Sequence, residues 1–359
     1  MPQRNVPTAQ HILGFAQSLR GGGVERALLR LAGGWQRAGR KVTLVIGSTA
    51  GPLANELPEG VTVRALGTAD YRALMRALPA LIRETAPDLI FCPGNHYTGA
   101  AGYARLRLGA GCPPIVGKVS NALVRPDQGA VAAWSYRRWL RLHRYFFDHI
   151  VAMTPATAVE AMREMGLGRE RVSVIANPPA LPVPGAAPTP VPAGRFVLGV
   201  GRLEPQKRWE RLIAAMPLLP ADLTLVILGE GSLRGALEAQ VAAFGLQSRV
   251  SLPGHSGDPL PVVAAAAVLA LTSDFEGVPG VLREALALGT PVVATESSVA
   301  VREIVHSPAL GDVVARGDAE GLVAALARWL APGAVRPQPV ASDGDSVADY
   351  LALFDRLVA

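Results

Sequence analysis

The chain has 359 residues, of which 50% are apolar and 18% are charged. Its length is typical of two globular domains with sizeable cores, and no apolar run reaches the roughly 18 residues that a membrane span requires. The net charge of +6 favours anionic partners, such as phosphorylated ligands, nucleic acid or acidic lipid surfaces, without choosing among them. Two cysteines and an N-terminus without a signal-type pattern lead us to expect a reduced, cytoplasmic protein.

Strand and helix patterns alternate through the first half of the chain. The helical pattern of residues 24–38 follows a glycine turn at 21–23, and apolar strand patterns flank both. Such βαβ units indicate a parallel sheet. In chain order, the predicted elements are a strand at 11–17, a helix at 24–38, a strand at 41–46, a helix at 71–85, and strands at 88–92, 114–118 and 149–153.

A proline-rich segment separates this half from a second α/β set. Residues 178–194 contain seven prolines, which is typical of a stiff, extended linker. The elements predicted after it are strands at 195–200, 223–228, 250–252, 268–271 and 291–294, and helices at 209–216, 233–244, 260–266, 280–288, 319–330 and 347–358.

These patterns predict an α/β protein built from two doubly wound Rossmann-like domains that face each other across a cleft. Open sheets of this kind bind ligands at the carboxyl ends of their strands. The predicted boundaries are a first domain at 1–180, a linker at 181–194, a second domain at 195–335, and a tail at 336–359 whose helix packs back on the first domain.

Residues 273–295, SDFEGVPGVLREALALGTPVVAT, are mostly small and apolar but carry two glutamates. Eight residues at 100° each would leave the two carboxylates about 80° apart on one helix. We therefore place Glu276 in the loop after a strand and Glu284 on the second turn of the next helix, which Gly289 ends. The free N–H groups at the start of that helix suit an anion. For two isolated glutamates, a helix cap and a solvent-facing side chain would be the simpler explanation.

A basic turn precedes this segment in GVGRLEPQKRWERLI, residues 199–213. The pattern is a strand, a turn that carries Arg202 and Lys207, and a helix. Arg binds phosphate oxygens bidentately and Lys adds a point charge, so two cations at the end of a strand form a site for a diphosphate. A basic turn alone is also explained by solvation.

Three stretches in this order, GRLEPQKRWERLI, VILGEGSLRGALEAQVAAFGLQSRVSLPG and SDFEGVPGVLREALALGTPVVAT, resemble the donor domain of the retaining family-4 glycosyltransferases. These enzymes have the GT-B fold. The resemblance covers residues 195–330 closely and extends to the first domain through the loop at 21–23 and VSVIANPP at 172–179. It implies transfer of a sugar from a nucleotide-sugar donor, such as a UDP-sugar or GDP-sugar, to a glycan or lipid-linked acceptor bound by the first domain.

The resemblance also implies roles for single residues. Arg202 and Lys207 match the diphosphate-binding pair of the family. Glu276 matches the first glutamate of its Glu-x7-Glu motif, which contacts the hydroxyls of the transferred sugar. Glu284 matches the second, which holds the ribose hydroxyls of the nucleotide. We expect Arg202, Lys207 and Glu276 to be the catalytic positions.

Further donor-binding positions follow from the same resemblance. Gly22 and Gly23 match a glycine loop whose bare backbone closes over the phosphates, although an ordinary βα turn has the same appearance. Backbone groups near Gly254 are expected to read the base. The other donor-binding positions, at the start of the helix after Glu276, are Gly277, Val278, Pro279 and Gly280.

The first domain departs from the family pattern in one respect. Many relatives carry a histidine just after a strand that reaches the donor sugar, whereas the matching stretch PPIVGKVSNALV has Ser120 and Asn121 instead. His96, in CPGNHYTG after another strand, is a candidate substitute, although a single histidine is more often structural or solvated. The candidate sugar contacts of this domain are therefore His96, Ser120 and Asn121.

Glycosyl transfer passes through an oxocarbenium-like state, and the leaving diphosphate gains charge that Arg202, Lys207 and helix N-termini would stabilise. The resemblance implies retention of configuration without a protein nucleophile, and it implies no obligatory metal or other cofactor. Asp343-Gly344-Asp345 resembles the Asp-x-Asp metal motif of the other glycosyltransferase fold, but we interpret it as a loop. No His/Cys cluster has metal-ligand spacing.

WSYRRWLRLHRYFF, residues 134–147, mixes arginines with aromatic residues. Such a segment can anchor a helix at an anionic membrane surface, here the inner face of the membrane. A domain helix with a solvated basic face explains the pattern equally well. Nucleic-acid binding is not expected, because no recognised motif accompanies the charge.

Two alternatives to a transferase stay open from the sequence. A nucleotide-sugar epimerase can have the same fold, but such epimerases lack the Arg–Lys turn paired with Glu-x7-Glu. A non-catalytic protein that binds nucleotide sugars or glycans fits as well, because the motif residues bind rather than react.

Overall fold

The computed structural model describes residues 8–124, 128–179, 189–341 and 344–359. These residues form two compact units. The first unit comprises 8–124, 128–178 and 344–359, and the second comprises 179 and 189–341. Residues 181–188 of the predicted linker lie outside the described residues.

The first unit is built around a parallel sheet. Its described strands are β1 (His11–Ser18), β2 (Lys41–Ser48), β3 (Thr62–Ala65), β4 (Leu89–Cys92), β5 (Ile115–Lys118), β6 (His149–Ala152) and β7 (Val172–Val174). Its helices are α1 (Gly23–Arg37), α2 (Tyr71–Thr85), α3 (Thr98–Leu108), α4 (Ala130–Leu142) and α5 (Pro155–Met165). The strand order is β3-β2-β1-β4-β5-β6-β7. The central strands are aliphatic and buried, as parallel strands covered on both faces must be.

The second unit repeats this plan with six described strands. They are β8 (Phe196–Val200), β9 (Thr224–Leu228), β10 (Val250–Gly254), β11 (Val268–Leu271), β12 (Val292–Thr295) and β13 (Gly311–Val314). The helices are α6 (Trp209–Ala215), α7 (Arg234–Ala243), α8 (Leu260–Ala265), α9 (Gly280–Ala287), α10 (Val299–Ile304) and α11 (Ala319–Leu330). The strand order is β10-β9-β8-β11-β12-β13. The predicted α/β class with two doubly wound parallel sheets is confirmed.

In both sheets, the order in which strands are added changes side at the first strand. The chain moves outward from β1 to β3 and then returns to β4 on the other side of β1, and β8 to β11 repeat this path. Doubly wound sheets bind ligands at the carboxyl ends of the two strands at such a switch point. The turns after β1 and β4, and after β8 and β11, are therefore the positions where functional side chains are expected.

The last helix, α12 (Ser346–Val358), belongs to the first unit. The rings of its Tyr350 and Phe354 lie 5.8 and 5.1 Å from the ring of Trp35 on α1. All three side chains are buried. Asp345 caps the helix by accepting hydrogen bonds from the backbone N–H groups of residues 347 and 348.

The predicted domain boundary at residue 335 lies too early in the chain. Arg336 donates hydrogen bonds to the carbonyl oxygens of Ala266 and Gly289 in the second unit. Val340 N donates to the carbonyl oxygen of Leu286 near the end of α9. These bonds join the segment to the ends of α8 and α9, so residues 336–341 stay with the second unit.

Candidate functional site

Lys207 and Glu276 form an ion pair at the switch point of the second sheet. Lys207 lies in the turn after β8, and Glu276 lies in the turn after β11. Nζ of Lys207 is 2.6 Å from Oε1 of Glu276, and Ser273 Oγ donates to the same oxygen at 2.7 Å. Only 16% of the Lys207 side chain and 11% of the Glu276 side chain are exposed, so solvent screens the pair weakly. Among the described residues, Oε2 of Glu276 has no hydrogen-bond partner.

Hydrogen bonds between the two turns hold this pair in position. Thr272 Oγ1 donates to the carbonyl oxygens of Lys207 and Arg208, at 2.9 and 3.0 Å. Asp274 binds the side chains of Arg208 and Arg211. Burial acts to raise the pKa of Asp274, but the hydrogen bonds from these two arginines outweigh it and hold the pKa below its usual range. Asp274 therefore stays ionised and fixes the basic turn.

Arg202 lies in the same turn as Lys207, and its charge adds to the hydrogen bonds from Ser232 in lowering the pKa of Glu204. Its side chain is exposed, and its guanidinium makes no hydrogen bond or ion pair with any residue that the structure describes. Its backbone is nevertheless fixed, because Trp209 Nε1 donates to the Arg202 carbonyl oxygen at 3.0 Å. A guanidinium on a rigid backbone whose N–H groups make no described hydrogen bond is suited to an anionic ligand.

Helix α9 begins close to Glu276 without a side-chain cap. Pro279 is its N-cap residue, and no side chain accepts from the first N–H groups. Gly280 is exposed, and a Cβ there would meet no atom within 4 Å. Gly277 is held by Ser298, whose Oγ donates to its carbonyl oxygen at 2.6 Å. The uncapped N–H groups can bind an anion, and Val278, which is half-buried, separates them from Glu276.

Glu284 lies on the second turn of α9 and is half-buried, and Gly289 follows the helix with a φ of +69°. Both positions agree with the sequence prediction. The predicted contact of Glu284 with a ribose stays a prediction.

Gly254 ends β10 with a φ of +97°. A Cβ there would lie 2.8 Å from Oε1 of Glu230, the end of an exposed side chain that can move, so it is the backbone conformation that favours glycine. The residue lies at the carboxyl end of its strand, two strands away from β8. Its proposed contact with a base stays a prediction.

In the first unit, the predicted glycine loop forms the start of α1. Gly22 is the N-cap residue and has no side-chain hydrogen bond. A Cβ on Gly22 would clash with the carboxylate of Glu25, whereas Gly23 is exposed with open space around it. Glu25 accepts a hydrogen bond from the hydroxyl of Tyr97 at 2.7 Å.

Ser120 and Asn121 bind mainly to Asn95. Asn95 Oδ1 accepts from the backbone N–H groups of Ser120 and Asn121 at 2.8 and 3.3 Å, and Asn95 N donates to Ser120 Oγ at 3.1 Å. Asn121 Oδ1 accepts from the next backbone N–H at 2.9 Å. These bonds join the turns after β4 and β5, so the oxygens of Ser120 and Asn121 already have partners within the unit.

His96 lies in the same group of turns and is exposed. Its Nε2 is 2.8 Å from Oε1 of Gln17 at the end of β1. Nearby, Lys118 ends β5 with only 3% of its surface exposed, and its Nζ donates to Asn177 Oδ1 at 2.6 Å. Burial lowers the pKa of Lys118 to about 8.

The described part of the chain holds no group of three or more His, Cys, Asp or Glu side chains placed to bind a metal ion. Asp343 of the Asp343-Gly344-Asp345 sequence lies outside the described residues. Asp345 serves as the cap of α12.

Helix α4 exposes its arginines and Trp134, whereas Tyr136 and Trp139 are half-buried and pack against the core. Leu140 is its one fully buried residue, whereas Val131 and Trp134 are 81% and 61% exposed. The guanidinium of Arg138 lies 5.1 Å from the centre of the Trp134 ring. No described helix is long and apolar enough to cross a membrane.

Two family descriptions match this chain, one in each unit. Residues 21–178 match the family described as Glycosyltransferase Family 4, and residues 194–332 match the family described as Glycosyl transferases group 1. The chain belongs to these glycosyltransferases. The sequence-based resemblance to family 4 is confirmed.

This glycosyltransferase is similar to two bacterial relatives over part of its length. It is 38% identical over 120 residues to an N-acetylgalactosamine-N,N'-diacetylbacillosaminyl-diphospho-undecaprenol 4-alpha-N-acetylgalactosaminyltransferase of Campylobacter jejuni, covering 33% of each chain. It is 32% identical over 200 residues to the lipopolysaccharide core biosynthesis glycosyltransferase LpsE of Rhizobium meliloti, covering 53% of this chain and 56% of the relative. The chain thus spans a third to about half of the length of these relatives.

Solved structures share the fold of this glycosyltransferase. The apo lipopolysaccharide outer core galactosyltransferase WaaB superimposes with a TM-score of 0.65 at 20% identity, covering 97% of this chain and 96% of WaaB. Anabaena HepE in complex with UDP-glucose gives a TM-score of 0.68 at 23% identity, covering 88% of each chain. The predicted GT-B fold is confirmed.

The sequence patterns of this glycosyltransferase do not single out Ser273 or Gln17, although Ser273 binds Glu276 and Gln17 binds His96. Both are polar residues at or just after the end of a buried strand. Because the carboxyl ends of parallel strands face the ligand site, that position is the signal that would have found them.

Proposed function

We propose that this chain is a retaining hexosyltransferase that moves a sugar from a nucleotide-sugar donor to a glycan or lipid-linked glycan during the assembly of cell-surface polysaccharide, lipopolysaccharide or glycolipid. The observation that carries the proposal is the cluster of Arg202, Lys207 and Glu276 at the switch point of the second sheet. A guanidinium whose N–H groups make no described hydrogen bond, an ammonium group and the uncapped start of α9 are the groups that bind a diphosphate.

The same groups would stabilise the charge that develops on the leaving diphosphate. Lys207 uses one of its N–H groups for Glu276 and has others left for phosphate oxygens. Arg202 can bind two phosphate oxygens at once. Cations fixed before the reaction stabilise a developing charge without reorganising, which is the largest contribution to many enzymatic rates.

Glu276 is suited to binding hydroxyls rather than to attacking the sugar. Its Oε1 already accepts from Lys207 and Ser273, which lowers its nucleophilicity, and Oε2 can accept from a sugar hydroxyl. In the proposed retaining step, the bond from the anomeric carbon to the phosphate oxygen breaks and a bond to the acceptor oxygen forms on the same face. The acceptor proton passes to the departing phosphate, so no protein base, metal or other cofactor is proposed.

The relatives support the donor and acceptor classes. The Campylobacter relative is named for an acceptor on diphospho-undecaprenol, and the Rhizobium relative is named for lipopolysaccharide core biosynthesis. The HepE structure holds UDP-glucose. These names favour transfer over the non-catalytic binding protein and over the epimerase.

We further propose that the protein works in the cytoplasm, in peripheral contact with the inner face of the membrane. The exposed Trp134 and the arginines of α4 support such a contact, because exposed aromatics with basic residues favour an anionic lipid surface. The two free cysteines, Cys92 and Cys112, fit a reducing compartment.

Calorimetric titration with UDP, GDP and ADP in the presence of EDTA tests the donor site. We expect selective binding of one nucleotide without metal, weakened about tenfold to a hundredfold by Arg202→Ala, because that variant loses a charged hydrogen bond. Arg328→Ala on α11 removes a surface arginine paired with Asp312 and should bind like the wild type.

Transfer from radiolabelled UDP-sugars and GDP-sugars then separates a transferase from a binding protein. A protein that binds a nucleotide but neither transfers the sugar nor slowly hydrolyses the donor would favour the non-catalytic alternative. A folded wild-type protein that binds no nucleotide would contradict the proposed donor site altogether.

A further inference from the structure

Arg208 has a backbone conformation that few residues other than glycine adopt. Its φ is +53° and its ψ is +40°, in the left-handed region. Among the described residues, Ala86 is the other non-glycine residue with a positive φ. For a residue with a Cβ, this conformation lowers the folding equilibrium constant about fivefold to thirtyfold. Such strain persists where surrounding contacts impose it, and it is concentrated at functional sites.

The two left-handed residues have different surroundings. Ala86 ends α2, where its N–H donates to the carbonyl oxygen of Ile82 at 2.9 Å, and a left-handed residue is common at the C-terminal end of a helix. Arg208 instead lies between a 3-10 turn at Pro205–Lys207 and the start of α6. Because it directly follows Lys207, its backbone sets the direction in which the chain leaves the lysine.

Contacts with the turn after β11 hold Arg208 in this conformation. Nε of Arg208 donates to Oδ2 of Asp274. The buried hydroxyl of Thr272 donates to the carbonyl oxygens of Lys207 and Arg208, and Asp274 N donates to the carbonyl oxygen of Gln206 at 2.9 Å. The backbone on both sides of Lys207 is therefore bonded to the turn after β11.

The side chain of Lys207 has little freedom between its backbone and its partner. A Cβ on Gly201 would lie 3.1 Å from Lys207 Cε, so the lysine passes directly over this glycine before its Nζ meets Glu276 at 2.6 Å. Only 16% of the lysine side chain is exposed. A different backbone direction at Arg208 would therefore move the ammonium away from the carboxylate.

We infer that Arg208 is a positioning residue for Lys207, and that its left-handed backbone, fixed by Asp274 and Thr272, holds the ammonium where the donor diphosphate binds. The inference rests on the proposed function, because it concerns the same diphosphate site. Arg208 acts through the lysine and is not assigned a contact with the donor. Relaxation of residue 208 into a common backbone region would remove the strain of this turn but displace the lysine.

Two substitutions of Arg208 separate the backbone from the side chain. Both Arg208→Ala and Arg208→Gly lose the bonds to Asp274, so the difference between them measures the backbone alone. Glycine adopts the left-handed conformation readily, so Arg208→Gly keeps Lys207 in place. Arg208→Ala keeps the strain but loses the side-chain contact that opposes it. Ala86→Gly relieves the same kind of strain in the first unit and is the matched control.

Calorimetry with UDP, GDP and ADP measures the effect on the donor site. For the nucleotide that the wild type binds, we expect Arg208→Ala to bind about threefold to tenfold more weakly, because Lys207 is in place in only part of the molecules. Arg208→Gly and Ala86→Gly should bind like the wild type. Circular dichroism and urea denaturation check that the variants are folded. A purely structural role of Arg208 would change stability but not the affinity of the folded protein.

Lysine labelling tests the same inference without any ligand. The chain has three lysines, namely the exposed Lys41, the buried Lys118 and Lys207, so mass spectrometry after brief acetylation distinguishes them. We expect Lys207 to react about threefold to tenfold faster in Arg208→Ala, because its bond to Glu276 opens more often, and at the wild-type rate in Arg208→Gly. The rate at Lys41 should be the same in all variants and serves as the internal reference.

The outcomes distinguish this inference from the proposed function. Equal labelling of Lys207 in the wild type, Arg208→Ala and Arg208→Gly overturns the inference, whether or not a nucleotide binds. If the wild type binds a nucleotide and folded Arg208→Ala binds it equally well, only the role of Arg208 at the donor site is overturned. If the wild type binds none of the three nucleotides, the proposed function fails, and the role of Arg208 at the donor site fails with it.

Discussion

Lys207 and Glu276 are 69 positions apart in the chain, yet Nζ and Oε1 lie 2.6 Å apart. Each residue follows one of the two strands at the switch point of the second sheet. In the first sheet, Gln17 near the end of β1 and His96 in the turn after β4 are 79 positions apart, and their side chains meet at 2.8 Å. The same topology therefore joins two polar side chains that are distant in the sequence in each unit.

Lys207→Met should destabilise the second unit as well as abolish transfer. The substitution leaves the largely buried carboxylate of Glu276 with Ser273 as its one described partner. Removing one member of a buried ion pair leaves an uncompensated charge, at a cost of about 3 kcal/mol in the free energy of unfolding. Urea denaturation followed by fluorescence measures it.

The double variant Lys207→Met/Glu276→Gln tests the origin of that loss. It removes both charges, and the amide can still accept from Ser273, so most of the stability should return while transfer stays absent. A double variant as unstable as Lys207→Met would show that the lost lysine packing, and not the unpaired carboxylate, causes the destabilisation.

The sequence was sufficient to place Arg202, Lys207 and Glu276 in turns after strands, because the apolar strand patterns directly precede those turns, whereas the roles proposed for them rest on the family resemblance. It was not sufficient for the pairs formed across strands. The hydrogen-bond partners of Ser273 and Gln17 become neighbours only through the fold. A polar residue at the end of a strand does not by itself indicate which residue it will bind. The same limit applies to Asn95, which joins Ser120 and Asn121 to the turn after β4.

Three of the elements missing from the sequence prediction share a weak apolar signal. The strands β3 and β7 lie at the edges of the first sheet and are mostly exposed or half-buried, so they lack a buried apolar run. Helix α3 includes Gly99 and Gly102 and buries small residues, mainly alanines, instead of a leucine stripe. Tertiary packing overrides local propensity in such segments.

Trp134→Ala should weaken binding to anionic vesicles. The Trp134 side chain is 61% exposed on α4, next to Arg137 and Arg138, and burying it in the lipid interface favours attachment. We expect about tenfold weaker cosedimentation with phosphatidylglycerol vesicles, and weaker binding of the wild type at high salt. Leu218→Ala removes an apolar residue that is 70% exposed in the second unit and serves as the control. Equal losses in the two variants would contradict a specific role of α4.

Lys118→Met should change how stability depends on pH. Burial lowers the pKa of Lys118 to about 8 from 10.5 in the unfolded chain, so between these values the unfolded state binds more protons and the stability of the wild type rises with pH. The methionine variant lacks this rise. From pH 8 to pH 10, the free energy of unfolding of the wild type should therefore rise by about 2 kcal/mol relative to that of the variant. Parallel curves for the two proteins would contradict a buried ammonium.

His143→Phe should stabilise the first unit, and more in acid than at pH 8. His143 is 2% exposed, neither ring nitrogen has a hydrogen-bond partner among the described residues, and its ring lies 5.1 Å from that of Phe146. Burial lowers its pKa to about 4 from 6.5. Below pH 6.5, His143 is therefore protonated in the unfolded state but not in the folded state, and the stability of the wild type decreases as the pH decreases. At pH 5 the wild type loses about 2 kcal/mol in this way, and the variant does not. Urea denaturation at pH 5 and pH 8 measures the difference, and a variant stabilised equally at both pH values would contradict the lowered pKa of His143.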